Sequence, residues 1–542
     1  MIKQSQAGQS LSVETVCWVM FLLTLTAVLI TRVRLLGIPL ERDEGEYAYL
    51  GQLLLQGVPP YKLAYSMKLP GACAVYALLM AIFGETTRGI HLGFLIINFA
   101  SVVLIFFIAK RLSGTVGGII SAVSYSLLSI SQSVLGVQAH ATHFVVFMAL
   151  CGSILLLKAV ENENKRLIFL SGLFFGLAFL MKQQGVFFIP VGIFYLSWVY
   201  LRKKPVLALT LASNLGIYIA GAGLPFLATG LALYRAGVFD KFWFWVFQYA
   251  PTYSSGVPAY LAFKIFKDEL ISVIYPFQPV WYIAGAGFLC LFFDPKARKN
   301  LIFIIALLVA SFLAICPGLI FRQHYFVILL PVISILAGIC VNWATEFVRN
   351  RKFPAIFHFL PVVIFTSLLA WSVFQQKDYF FKATPKEVSR ETYGINPFIE
   401  SLEIAKYLKA ESSSDDTIAV LGSEPQIYFY SHRRSATGYI YAYPLMESQR
   451  YALNMQEEMA AEIESKKPRY LVFVNVSTSW LRRSGSESFI FRWANDYINK
   501  RYDKVGAVVI HEKITDYYWD ADAKNAALGP SSYVLIYKRK SN

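Results

Sequence analysis

The sequence predicts a polytopic α-helical membrane protein with a C-terminal extracytoplasmic α/β domain. Three observations predict it. The 542-residue chain is 56% hydrophobic and only 15% charged, against roughly 25% charged in ordinary soluble domains. Its apolar residues gather in runs close to the ~20 residues a helix needs to cross a bilayer. Basic residues recur in tight clusters between those runs, and the longer polar stretches are confined to the end of the chain.

The first run, Leu11 to Ile30, has a weak basic flank and no small-residue cleavage site after it. It reads as a retained helix and not as a cleaved signal peptide. Spans are expected at 14–32, 89–109, 115–132, 138–158, 167–181, 186–201, 206–227, 273–292, 300–315, 325–343 and 355–374, giving about 11 transmembrane helices. With the N-terminus inside, all the basic clusters fall inside: Lys110-Arg111, Lys165-Arg166, Arg202-Lys203-Lys204, Lys296 with Arg298 and Lys299, and Arg349 with Arg351 and Lys352. Short basic loops belong on the cytoplasmic side. The net charge of +16 is therefore topology and does not call for a nucleic-acid partner.

Two outer loops are expected to be long, 33–88 and 228–272, within a membrane domain of residues 1–374. In the first, Pro70 to Phe83 is apolar but too short to cross, and suits a helix lying in the interface. The second holds Trp243, Phe244, Trp245, Phe247, Tyr249, Tyr253 and Tyr260. Such aromatics fit either a headgroup-level belt or the wall of a lipid-binding groove. Residues 375–542 change character. Helical periodicity is expected over 398–410 and 455–467, and strands at 418–421, 470–474, 507–510 and 533–537. Strands alternating with helices indicate an α/β domain. The six cysteines lie in or beside apolar runs with no CxxC pair, so they read as packing residues.

The chemistry-bearing residues are few. Arg42-Asp43-Glu44-Gly45-Glu46-Tyr47 follows the first run, and Lys68-Leu69-Pro70-Gly71 precedes the next. Charges at a membrane are costly and mark function; acids with a nearby lysine suggest chemistry on a phosphate-bearing lipid. His140 and His143 are three apart and can face one side. With Asp43 they could bind a metal or simply cap and pack; no metal is expected. His91, His358, His432 and His511 read as structural. No Gly-rich nucleotide loop follows a strand, and Gly117-Gly118 reads as a close helix-packing point.

These stretches resemble the polytopic GT-C glycosyltransferases, specifically the PMT/ArnT-like family, over about residues 10–375. Asp43-Glu44 resembles the family's catalytic acidic pair, and Lys68-Leu69-Pro70 its Lys-Pro-Pro stretch on the phosphate side. Lys182-Gln183-Gln184-Gly185 resembles a common family turn. Arg322-Gln323-His324-Tyr325-Phe326, followed by Leu329-Leu330-Pro331, resembles its late Arg/His-Tyr element. The resemblance implies a GT-C fold and inverting transfer of a sugar from a polyprenyl-phosphate donor. The acceptor would be a lipopolysaccharide, a lipid-linked glycan or a protein at the outer face of a bacterial inner membrane, and no cofactor is implied.

Such chemistry needs one base and a clamp on the leaving phosphate. Asp43 is the expected base, Glu44 is expected to orient the acceptor or the loop, and Glu46 is a weaker candidate. Lys68, Arg322 and Lys182 are the expected phosphate cations, with His324 and Tyr325 as donors. Met67 stands where aminoarabinose transferases carry an acid, which points to a neutral hexose or pentose. The alternative class is a transporter or flippase, which would place charges at helix midplanes. The interior spans are almost free of acids. An envelope scaffold would give no reason for the Asp43, Lys68 and Arg322 set.

Overall fold

The computed structural model describes residues 12–203, 208–254, 257–351, 353–529 and 532–540. Lys204 and Lys352, each a member of an expected basic cluster, lie outside the described residues, as does the side chain of Tyr253. Among the described residues, eight helices are long and apolar enough to cross a membrane: Val13–Arg34, Thr87–Ser113, Ala141–Glu161, Gln183–Leu201, Ala208–Arg235, Tyr260–Cys290, Leu330–Asn350 and Ala355–Gln375.

This corrects the expected count of eleven. The runs at 115–132, 167–181 and 300–315 form the helices Thr115–Leu128, Lys165–Met181 and Leu301–Ile315, of 14, 17 and 15 residues. At about 1.5 Å per residue these fall short of the ~30 Å apolar core. Counting apolar runs overestimates spans because a run can turn: the first of the three breaks at Ser129 and continues as a 3-10 turn at Gln132–Val134. Where the helices touch, small residues allow it. A Cβ placed on Gly338 would meet the Gly117 carbonyl oxygen at 2.3 Å, so the Gly117-Gly118 pair does serve close packing.

The loop expected at 228–272 is mostly helical. Ala208–Arg235 runs beyond its expected end and the Tyr260–Cys290 span starts early. Between them lie Phe239–Trp243, a π-turn at Phe244–Tyr249 and Ala250–Ser254. Its aromatics are not a simple headgroup belt. Phe242, Trp245 and Tyr249 are buried, and Trp245 stacks on Tyr65 at 5.6 Å and meets Tyr439 at 5.9 Å. Tyr439 belongs to the C-terminal region, so this stretch packs beneath it.

Among the described residues, the C-terminal region carries six strands: β1 (Thr417–Leu421), β2 (Arg434–Ser435), β3 (Tyr470–Asn475), β4 (Tyr502–Ile510), β5 (Thr515–Trp519) and β6 (Ser532–Arg539). They form one sheet in the order β2-β1-β3-β6-β4-β5. β1 pairs in parallel with β2 and β3, and the rest pair antiparallel. The domain is thus α/β only in its first half. Parallel strands need crossovers, which the helices Gln426–Ser431 and Ala452–Lys466 supply. β4 and β5 are joined by too few residues for a crossover and must form a hairpin. β2 and β5 were not expected from the sequence.

Candidate active site

The site starts at the helix Arg42–Leu55. Its N-cap is Glu41, whose carboxylate accepts from the Glu44 N–H at 2.8 Å, while Glu44 Oε2 accepts from the Glu41 N–H at 3.4 Å. This reciprocal capping box makes the acidic cluster the first turn of a helix and not the loop expected, and a helix N-terminus favours carboxylates. Glycine is required next. A Cβ on Gly45 would sit 2.7 Å from the Gln426 backbone nitrogen, so this turn lies directly against the C-terminal domain.

Arg42 fastens that contact. Its guanidinium donates to Glu424 Oε1 at 2.7 Å, the Ser423 carbonyl at 2.6 Å, the Tyr443 hydroxyl at 3.0 Å and Asn396 Oδ1 at 3.1 Å. Burial is the largest single influence and works against its charge, but Glu424 together with Tyr443 and Tyr441 outweighs burial and raises its pKa.

Asp43 projects into a cavity of about 570 Å³ whose lining also includes Glu46, Lys68, His140, Lys182, Arg322, His324 and Tyr325. Lys68 Nζ donates to Asp43 Oδ1 at 2.8 Å and to Glu46 Oε2 at 2.6 Å, and lies 4.5 Å from the Tyr47 ring centre. Glu46 also accepts from the Ser66 hydroxyl at 2.6 Å. Burial is the largest single influence on Asp43 and opposes its charge, yet the Lys68 ammonium, its hydrogen bond and the neighbouring His324 and His140 together hold the carboxyl well below the usual range. Asp43 is therefore held ionised at neutral pH.

Glu44, expected to join Asp43 in the catalytic pair by orienting the acceptor or the loop, is turned away. It is fully buried, absent from the cavity wall, and accepts from His91 Nε2 at 2.9 Å and the Ala139 N–H at 2.6 Å. Its geometry is that of a brace joining the Arg42–Leu55 helix to two neighbouring segments. His91, read as structural from the sequence, is its partner. His143 also leaves the expected group: it packs edge-on to Phe94 at 4.8 Å.

The cationic side of the cavity comes from two later turns. Lys182 caps the Lys165–Met181 helix, and its Nζ lies 4.1 Å from the Tyr325 ring centre. Burial pushes its ammonium down to about 7, although Asp43 pulls the other way. Arg322 and His324 follow a strained turn: Gly318, Leu319 and Phe321 have φ of +78°, +53° and +47°. The two non-glycine positions cost roughly 1–2 kcal/mol each, which fits a segment held for a purpose. His324 stacks on His140 at 4.3 Å. Burial pushes His140 down to about 4 and His324 well below the usual histidine range, so both are neutral donors or acceptors at pH 7. Asp43, His140 and His324 each bring one ligand atom to within 4.8 Å of the others. Among the described residues they are the side chains grouped so as to hold a divalent cation, in place of the His140 and His143 pair.

Sequence reasoning missed the wall supplied by the C-terminal domain. Tyr439, Tyr441, Tyr443, Asn396 and Phe398 all line the cavity. The signal was present as alternating tyrosines in Tyr439-Ile440-Tyr441-Ala442-Tyr443.

Bundled apolar helices, an acidic turn beneath a cap domain and a cation-lined cavity between them define the GT-C fold of membrane glycosyltransferases. Solved structures agree. ArnT from Cupriavidus metallidurans bound to undecaprenyl phosphate superposes with a TM-score of 0.60 at 14% identity, covering 96% of this chain and 98% of that one. The oligosaccharyltransferase AglB from Archaeoglobus fulgidus, in complex with an inhibitory peptide and a dolichol-phosphate, gives 0.51 at 13% identity over 94% and 75%. In sequence, residues 68–220 match the family described as dolichyl-phosphate-mannose-protein mannosyltransferase. These likenesses show a GT-C-like fold over nearly the whole chain and a sequence likeness to that family over residues 68–220. No curated protein matches it in full-sequence comparison.

Proposed function

We propose that this protein is an inverting glycosyltransferase. It moves a sugar from a polyprenyl-phosphate carrier to an envelope acceptor at the outer face of a bacterial inner membrane. The observation that carries the proposal is one cavity combining an ionised carboxylate, Asp43, with the cations Lys182 and Arg322. The apolar residues Val246, Ile320 and Leu135 share its lining and suit a lipid chain.

In the proposed step, Asp43 takes the proton of an acceptor hydroxyl while that oxygen bonds the anomeric carbon. The bond from that carbon to the phosphate oxygen breaks, its electron pair staying on the phosphate. Lys182 and Arg322 neutralise the departing charge, and His324 and Tyr325 donate hydrogen bonds to it. Lys68 has two N–H bonds committed to Asp43 and Glu46, so only its third can reach the phosphate. Glu44 acts as a brace. The donor is a neutral hexose or pentose, on the Met67 argument.

Basic residues fall in helix ends, as with Lys110 and Arg111 in Thr87–Ser113 and Arg349 in Leu330–Asn350; the preference of basic ends for the cytoplasmic side supports an extracytoplasmic cavity and C-terminal domain. The transporter reading gains no support, because the cavity charges sit at helix ends and not at midplanes. The test is transfer by the purified protein from short-chain polyprenyl-phosphate hexoses and pentoses to an envelope fraction lacking the protein. No transfer from any such donor, with a solute moved instead, overturns the proposal.

A further inference from the structure

Asp43 Oδ1 accepts two hydrogen bonds, from Lys68 Nζ at 2.8 Å and from the Tyr441 hydroxyl at 3.1 Å. Both fall on one oxygen. A carboxylate with one oxygen bonded twice cannot rotate freely, and neither donor occupies the other oxygen of this cavity-lining residue. The two donors come from opposite sides of the molecule: Lys68 from the segment ahead of the Gly71–Phe83 helix, Tyr441 from the C-terminal domain, 398 positions from Asp43.

Tyr441 is itself held. Its ring meets that of Tyr443 edge-on at 4.8 Å. The Tyr443 hydroxyl accepts from Arg42 at 3.0 Å and donates to the Thr478 carbonyl at 2.8 Å. Arg42 immediately precedes Asp43, so the C-terminal domain grips two consecutive residues of the same helical turn. A cap that served only to cover the membrane domain would not need to touch the base.

We infer that Tyr441 is a positioning residue, and that the C-terminal domain completes the catalytic centre. The Tyr441 hydroxyl fixes the rotation of the Asp43 carboxylate so that Oδ2 points at the acceptor hydroxyl. This rests on Asp43 being the base. Misaligning a base costs catalytic rate without weakening substrate binding.

Tyr441→Phe removes the hydroxyl and keeps the ring. The full-length variant, assayed with a radiolabelled short-chain polyprenyl-phosphate hexose or pentose and an envelope fraction, should lose about tenfold or more in kcat. KM for the donor should stay within about twofold, and the melting temperature should not move. A kcat within twofold of wild type overturns the inference. So does a loss matched by a fall in melting temperature or a rise in KM, because that marks a structural or binding role. Asp43→Asn in the same assay separates the two claims. If Asp43→Asn is inactive and Tyr441→Phe is normal, only the role of Tyr441 fails; if Asp43→Asn transfers fully, the base assignment itself fails.

Discussion

Lys68 and Asp43 form an ion pair at 2.8 Å, and the same ammonium is shared with Glu46 at 2.6 Å. The pair keeps the carboxylate charged while leaving Lys68 fixed if Asp43 is neutralised, because Glu46 still holds it. Asp43→Asn should therefore lower kcat by roughly 10²–10⁴-fold, the usual contribution of a general base, with little change in melting temperature. Turnover and thermal melting of the purified variant check this together. Loss of folding would assign Asp43 a structural role.

Lys182 gives a pH dependence whose sign can be worked out. Burial holds its ammonium down to about 7. An anionic phosphate binds the protonated form, so donor affinity should be full below about pH 7 and fall as pH rises through it. Lys182→Arg keeps its charge throughout and should flatten that profile. Donor dissociation constants between pH 6 and 9 for both proteins measure it, and parallel profiles would remove Lys182 from the phosphate site.

The Arg42–Glu424 bridge is buried on both sides, with exposures of 9% and 0%. Removing one partner of such a pair strands the other charge and typically costs about 3–5 kcal/mol. Glu424→Gln should lower the melting temperature and reduce transfer through loosened docking of the C-terminal domain. An unchanged melting temperature would mean that Asn396, Tyr443 and the Ser423 carbonyl suffice to hold Arg42.

The proposed orientation can be read from single cysteines in a cysteine-free background. Glu512→Cys lies on the exposed hairpin side of the sheet and Lys299→Cys in an exposed basic turn. An impermeant thiol reagent should label the first from outside intact cells and the second only after permeabilisation. The reverse pattern would invert the topology and displace the site to the cytoplasm.

Much of this was written in the sequence by itself. Apolar length and clustered Lys and Arg determine the membrane bundle, because a bilayer admits only long apolar helices and sorts basic loops to one side. The acidic turn and Lys68 stood out because charge beside apolar runs is costly, whereas Lys182 and the Arg322 segment stood out through their resemblance to the PMT/ArnT-like family. Strands β1, β3, β4 and β6 were legible from their short apolar runs.

Only the tertiary structure decided which charges face the cavity. Asp43 and Glu44 are adjacent and chemically alike, yet the helical turn sends one carboxylate to the cavity and the other to His91 and Ala139. Helical rotation separates neighbouring side chains by about 100°, and what each meets depends on segments far away in sequence. The same holds for Tyr441 and Glu424, which reach the site only because a sheet formed late in the chain folds back onto its first acidic turn. It holds too for the number of long spans, because a break such as that at Ser129 is decided by packing and not by hydropathy.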